Sequence, residues 1–517
     1  MLLSVASLDA LVLCTCLVWL RQLVLRKRHT VPLPPGPRRL PLIGNVLDMP
    51  KTLIWEKAAE WKNKYGDIIY LENFGVPLVI INSYDIAVDL LDKGSIKYSS
   101  RPSPVMFDEL QDWAWLLVMI PYGSRWRTCR APIQKAFNSP SVNEFMDIQL
   151  SSSRLLLSNI LREPNDYNAH IKASVARTIM LTTYGHEVLQ TNDPFISLAE
   201  EGVIYAGESA VPGRFLVDII PWLKYVPSWF PGAEFKKIAR RGRKLSHDMR
   251  YVPYEDSKEK ILKGEMRPSL TQNLIEECLT KEGNLTPEHD DMISAVTGMV
   301  YAGGTDTTGS ALQTFILAMT LHPEVQMRAH EEIDRVVGSD RLPDFDDRES
   351  VPYVEAIVKE CLRWNQPLPL GIPHFLTEDD VYGGHFIPAG TIVAANQWCM
   401  MNNPVEFSEP KSFKPERFLP DTGKTLPLDP SKVVFGFGRR ICAGKMMAEN
   451  SLFITVASIL AAFDIAAPLD EFGRPSPPSG EYNPTSIVSH PVPFDCRITP
   501  RSEKAAALIT QSVDLQA

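Results

Sequence analysis

The stretch "FGFGRRICAG", Phe435 to Gly444, holds a single cysteine among glycines and arginines, and helix-forming residues follow it at once. Glycines at 436, 438 and 444 admit backbone conformations that other residues resist, and let a bulky planar group come close. Cys442 then stands at the start of a helix expected over 443–462, where free N–H groups and the helix dipole favour a thiolate. Arg439 and Arg440 add positive charge. A sulfur in this setting suits a nucleophile, a metal ligand or a small buried hydrophobe.

A nucleophile needs a base, and none lies nearby in sequence. Ligation of haem iron needs only N–H groups aimed at sulfur and an apolar cover. Phe435 supplies the cover, and Arg440 suits an anionic propionate. The loop leans towards haem ligation without excluding a structural cysteine.

The rest of the chain narrows the setting. Its 517 residues are 44% hydrophobic and 22% charged, an ordinary globular composition. A net charge of -9 argues against a nucleic-acid partner, whose binder would be basic. The eight cysteines are scattered without a CxxC pair, which fits neither a disulfide scaffold nor a zinc site. This pattern points to a reduced, cytosol-facing protein.

Residues 2–25 are mostly apolar and precede Arg26, Lys27 and Arg28. Spanning a bilayer takes about 20 such residues, and the basic flank holds the rest of the chain in the cytosol. A cleaved signal carries the reverse order. Residues 1–28 therefore read as a transmembrane anchor and stop-transfer. Residues 29–49, with "VPLPPGPRRLPLIGN", read as a stiff proline-rich hinge, and 50–517 as the catalytic body.

Within that body a helix is expected over 54–64 and two strands around Gly75 over 67–83. Helical patterns dominate 84–365, with a long apolar helix over 292–322. Short strands and turns fill 366–395, and a last helix covers 443–462. The expected class is mainly α with a minor β region, and no second domain stands out.

Four further segments carry chemistry. "WRTCR" holds Trp126 and Arg130; "GGTDTT", 303–308, holds Asp306 and Thr307; "ECLR" holds Glu360 and Arg363; "PERF" holds Arg417. Taken singly they are bland. Glu360 and Arg363, three apart on an exposed helix, contribute only a few tenths of a kcal/mol. The glycines before Asp306 cost about 1 kcal/mol each in a helix, so something must use them.

Together with the cysteine loop, these segments resemble the signature set of the cytochrome P-450 monooxygenases, and the resemblance runs from about 31 to 500. It implies that family's fold, a single large haem-binding domain. It implies haem b with Cys442 as the axial iron ligand, and Trp126, Arg130, His374, Phe435 and Arg440 around the cofactor. Asp306 and Thr307 become the acid–alcohol pair that handles protons, and Glu360, Arg363 and Arg417 a buried network beneath the cysteine loop.

The implied reaction inserts one oxygen atom of O2 into a small hydrophobic substrate. Electrons come from NADPH through a separate NADPH–cytochrome P-450 reductase, with cytochrome b5 as a second donor; this chain carries no dinucleotide-binding fingerprint. A haem-thiolate isomerase or dehydratase working without O2 is one alternative, and a non-catalytic haem protein another. The retained Asp306–Thr307 pair argues against the first. The second need not retain that pair, an apolar distal region and an anchor together.

Other stretches add detail. The apolar run 106–123 is expected over the distal face of the haem, where substrate is selected. Trp222, Trp229 and Phe230 suit the bilayer interface. Arg125, Arg127, Lys135, Lys432, Arg439 and Lys445 suit an acidic electron donor. "LPPGPRRLPLIGN" and "LRWNQPLPLGIPH" resemble fungal microsomal members that act in secondary metabolism, which implies a single-pass protein of the endoplasmic reticulum membrane with its body in the cytosol.

Overall fold

The structure is a computed structural model that describes residues 30–514, apart from 190–192, 211–213, 266, 282, 421–424 and 485–486. The expected anchor, 1–28, lies outside the described residues. Among those described, no helix is long and apolar enough to cross a membrane.

The longer helices are α1 Ile54–Tyr65, α2 Ser124–Phe137, α3 Met146–Arg162, α4 Tyr167–Tyr184, α5 Pro194–Ser209 and α6 Phe235–Leu262. They continue with α7 Leu270–Cys278, α8 Pro287–Leu321, α9 Pro323–Val336, α10 Pro352–Trp364, α11 Lys445–Ala462 and α12 Glu503–Asp514. The architecture is mainly α with a minor β component, as expected from sequence.

Helix α8 organises the body. Thr286 caps it by accepting the His289 N–H, and Pro287 opens it with a preset φ and no donor to waste. It therefore starts earlier than the apolar run at 292 suggested, because its first turn is polar and carries only the capping signal. From Gly309 to Thr320 every residue is buried, the mark of a helix surrounded by protein on all sides. It packs against α2, α4, α6, α10 and α11. Leu312, Phe315, Ile316 and Met319 share one core with Leu157 of α3, Ile357 of α10 and Phe453 and Leu460 of α11. Each such side chain contributes about 1.5–3 kcal/mol by leaving water.

The strand regions form a four-stranded sheet and two small ribbons. In the sheet, β1 (Ile68–Asn73) and β2 (Val76–Ile81) make a hairpin turned at Phe74 and Gly75, both with positive φ. The order is β1-β2-β6-β3, with β3 at His374–Phe375 and β6 at Ile392–Ala395. Strand β6 runs parallel to β2, pairing Leu78 with Ile392, so the helical body is the crossover between them. Strand β3 pairs His374 with Val393, and Phe375 bridges Ser99 and Ser100. That register sets His374 beside the 98–101 segment.

The ribbons pair β4 (Asp380–Tyr382) with β5 (His385–Ile387), and β7 (Phe463–Ala466) with β8 (Arg497–Pro500).

Candidate active site

The cysteine loop closes on itself: the Cys442 N–H donates to the Phe435 carbonyl at 2.8 Å. Gly436 and Gly438 have positive φ, +81° and +55°. A Cβ on Gly438 would overlap the Leu91 carbonyl oxygen, so this glycine lets the loop dock on the helical turn Val88–Lys93. A Cβ on Gly444 would meet nothing within 4 Å. Of the three glycines expected to make room for a planar group, Gly438 is thus also required for the loop to dock.

One correction concerns the setting of the thiol. Helix α11 starts at Lys445 with Gly444 as its N-cap, two residues past Cys442. Burial is the largest influence on the thiol and pushes its pKa up, opposed by the Gly444 N–H and by Arg130 and Lys445. The helix start thus favours the thiolate, as expected, but burial outweighs it. By surface area Cys442 is nonetheless exposed.

Beside it lies a cluster of cations. Arg130 on α2 donates from Nη2 to the Ile441 carbonyl at 2.6 Å, and its buried Nε has no partner. Arg440 donates to the carbonyls of Ser99, Leu117 and Ile120. Both guanidiniums sit over the Trp126 ring, at 4.8 Å for Arg440 and 5.9 Å for Arg130. Arg101, buried, donates to the carbonyls of Val118, Ile372 and Pro373. His374 points Nδ1 at the Tyr98 carbonyl, 2.9 Å away. Burial, then Arg101, hold its pKa well below the usual histidine value, so it is neutral.

Among the described residues no carboxylate pairs with Arg101, Arg130 or Arg440. Buried positive charge without a counter-charge is costly, and two carboxylates of a ligand would relieve it. A thiol with an N–H aimed at it, and an anion-seeking cluster beside it, fit haem and its propionates. Arg101 was not singled out from sequence, although it is the one charged residue between Lys97 and Asp108.

On α8, the Thr307 hydroxyl donates back to the Gly303 carbonyl at 3.1 Å. A Cβ on Gly304 would collide with the Ile179 side chain of α4, so that glycine lets the two helices pack closely. Asp306 turns its Oδ1 to His490 Nε2 at 3.1 Å. His490 carried no motif and was missed from sequence. Met299, Val300 and Ala302 of α8 pack with Ile372, Ala443 and Met446 against a cluster that includes Leu116, Met119, Ile120 and Ile179. An apolar lining thus joins the cysteine loop, α8 and the 106–123 stretch. Within that stretch Trp113 and Trp115 belong to the core, and the Trp115 Nε1–H donates to Ser246.

On α10, Glu360 and Arg363 are fully buried and doubly bonded to each other. Arg417 Nε approaches Glu360 Oε1 at 3.3 Å, and the Lys414 N–H donates to the same oxygen at 2.8 Å. The sequence grouping of these three residues is one network in space.

A family model described as "Cytochrome P450" matches residues 34–496. The chain belongs to the cytochrome P450 family. It is 41% identical over 510 residues to a cytochrome P450 monooxygenase of Armillaria gallica, covering 98% of this chain and 99% of that one. It is 40% identical over 497 residues to one of Rhodocybe pseudopiperita, covering 95% and 93%. It is also 40% identical over 485 residues to one of Coprinopsis cinerea, covering 93% of each. The protein is therefore a monooxygenase of the fungal type, and its family works with haem iron.

The surface of this cytochrome P450 carries two further features read from sequence. Trp222 and Trp229 are 79% and 80% exposed, with Leu216, Tyr225 and Phe230 also exposed nearby in sequence. Of the six basic residues, Arg125 faces Asp291, Lys135 faces Glu277 and Lys445 faces Glu449. Arg439 is held by Ser95 and Tyr122, neither of which carries charge. A basic docking face is thinner than the sequence count suggested, since half of those cations have carboxylate partners.

Proposed function

We propose that this cytochrome P450 hydroxylates a hydrophobic fungal secondary metabolite, a terpenoid, polyketide or indole. Cys442 binds the iron of haem b. The observation that carries the reading is the pairing of the accessible Cys442 thiol with Arg101, Arg130 and Arg440, all lacking a counter-charge among the described residues. Trp126 and neutral His374 complete the propionate side, and Phe435 packs under the loop. The bound group supplies reductive activation of dioxygen. Thr307 and Asp306 supply protons on the α8 side, and the apolar lining orients substrate and excludes bulk water.

Electrons arrive from NADPH through a separate reductase, with cytochrome b5 as a second donor. Residues 1–28 anchor the protein in the endoplasmic reticulum membrane, 29–49 form the hinge, and 50–517 form one catalytic domain facing the cytosol. The exposed Trp222, Trp229 and Phe230 support contact with the lipid interface.

The reduced carbon-monoxide difference spectrum tests the ligand. Wild type should show the thiolate-type band and Cys442→Ala should lose it. NADPH oxidation with added reductase then tests the reaction; a product formed without O2 and reductase would establish an isomerase or dehydratase instead.

A further inference from the structure

We propose that His490 is the residue that positions Asp306 and re-supplies its proton, so that the α8 acid is fed from the C-terminal loop. The inference rests on the monooxygenase reading and adds a residue that no motif marks.

Three observations carry it. His490 Nε2 stands 3.1 Å from Asp306 Oδ1, and among the described residues it is that carboxylate's only ion-pair partner. On the other side of the ring, Nδ1 lies 2.8 Å from the Gln313 amide oxygen, and the Gln313 amide nitrogen donates to Asn168 of α4. With the amide so placed, Nδ1 carries a hydrogen, and Nε2 is the nitrogen that gains or gives the proton. Finally, the loop is pinned: Ser310 donates to the Ser489 carbonyl, and Asn483 N–H donates to the His490 carbonyl. The ring is thus held from α8, α4 and its own loop.

The side chains hydrogen-bonded around this pair are neutral: Gln313, Asn168, Ser310, and Tyr482, which donates to Thr314. Among the described residues, the charge partner of each member is the other member. His490 and Asp306 keep side-chain exposures of 22% and 34%, enough for water to reach them.

The step balances simply. The Nε2–H bond of the imidazolium breaks and an Oδ1–H bond forms on Asp306, leaving neutral imidazole and carboxylic acid. Asp306 passes that proton towards the Thr307 side, and water reprotonates Nε2.

The test uses the full-length haem-loaded protein with reductase. His490→Gln and His490→Phe should keep the carbon-monoxide spectrum while product formed per NADPH falls about fivefold and peroxide release rises. The solvent deuterium isotope effect on product formation should grow about twofold in His490→Phe. Ser310→Ala, which loosens the same loop, should leave that isotope effect at the wild-type value; a merely structural role for His490 would instead make these variants alike. Independently of turnover, an Asp306→Asn/His490→Gln cycle should show about threefold coupling in the unfolding constant. Unchanged product yield and isotope effect in both His490 variants, or no coupling in the cycle, would overturn the proposal. Absence of reductase-dependent turnover in wild type would count against the monooxygenase reading alone, and the stability cycle would still decide the pairing.

Discussion

Glu360 and Arg363 meet through two parallel hydrogen bonds, Nε to Oε2 at 2.7 Å and Nη2 to Oε1 at 2.9 Å, with both side chains wholly out of contact with water. The remaining guanidinium hydrogens go to the carbonyls of Met401, Pro410 and Ser412. Removing one partner strands the other charge in the interior. Glu360→Gln should therefore lower stability by about 3–5 kcal/mol, measured by urea unfolding, and should reduce the haem-to-protein ratio. A loss below about 1 kcal/mol would mean the pair is not the support it looks like.

Arg101 and Arg440 bond to backbone carbonyls and, among the described residues, to no carboxylate. Their remaining charge is available to an anionic cofactor. Replacing either by Leu should speed haem transfer to an apo-acceptor by about tenfold or more. Arg101→Lys should keep part of the retention, because the charge survives while the fork geometry does not. Haem-transfer kinetics, followed by absorbance, separate these outcomes.

The two loop glycines should respond oppositely to alanine. At Gly438, φ is +55° and an added Cβ meets the Leu91 backbone, which cannot swing away. Gly438→Ala should cost about 1–3 kcal/mol. Gly444→Ala, with ordinary φ and open space, should stay within about 0.5 kcal/mol. Thermal unfolding of both variants side by side is sufficient.

Asp108 sits in the turn Met106–Leu110, and its Oδ1 is buried without a partner. Burial is the main cause that raises its pKa to about 6, with Glu109 and Asp218 adding to it. A carboxyl whose folded pKa lies above its unfolded value binds more protons when folded, so stability falls as pH rises from about 4 to 6 and is level above that. Asp108→Asn should remove this penalty. The variant should gain roughly 1–2 kcal/mol at pH 7.5 and nothing at pH 4, read from urea midpoints at the two pH values.

Legibility from sequence tracked the range of the forces involved. The hairpin around Gly75 was readable because β-branched residues flank a turn that needs positive φ. The Glu360–Arg363–Arg417 grouping and its burial were readable only through the family resemblance, since helix spacing alone is equally consistent with a solvated pair. Arg101 escaped notice because an isolated arginine has no periodic or motif signature. What marks it is company: Arg440 and His374, which arrive from segments hundreds of residues away, through β3 and the cysteine loop. The glycines of 303–304 and 435–444 were seen, but not that Gly304 meets Ile179 and Gly438 the Leu91 backbone. Which atom fills the space of a missing Cβ is decided by a neighbouring element, as Ile179 and Leu91 show.

Sequence by itself determined the chemistry of this protein. A lone cysteine in a glycine–arginine loop and four short motifs in order mark a haem-thiolate monooxygenase, because each motif is local and its residue types are dictated by what they must bind. Tertiary structure alone decided how that chemistry is supported. It gathered three arginines that pair with no carboxylate among the described residues, set Cys442 in surroundings that raise its pKa, and brought His490 to Asp306. Those relationships depend on desolvation and on contacts between residues far apart in the chain, and neither quantity exists until the helices have packed.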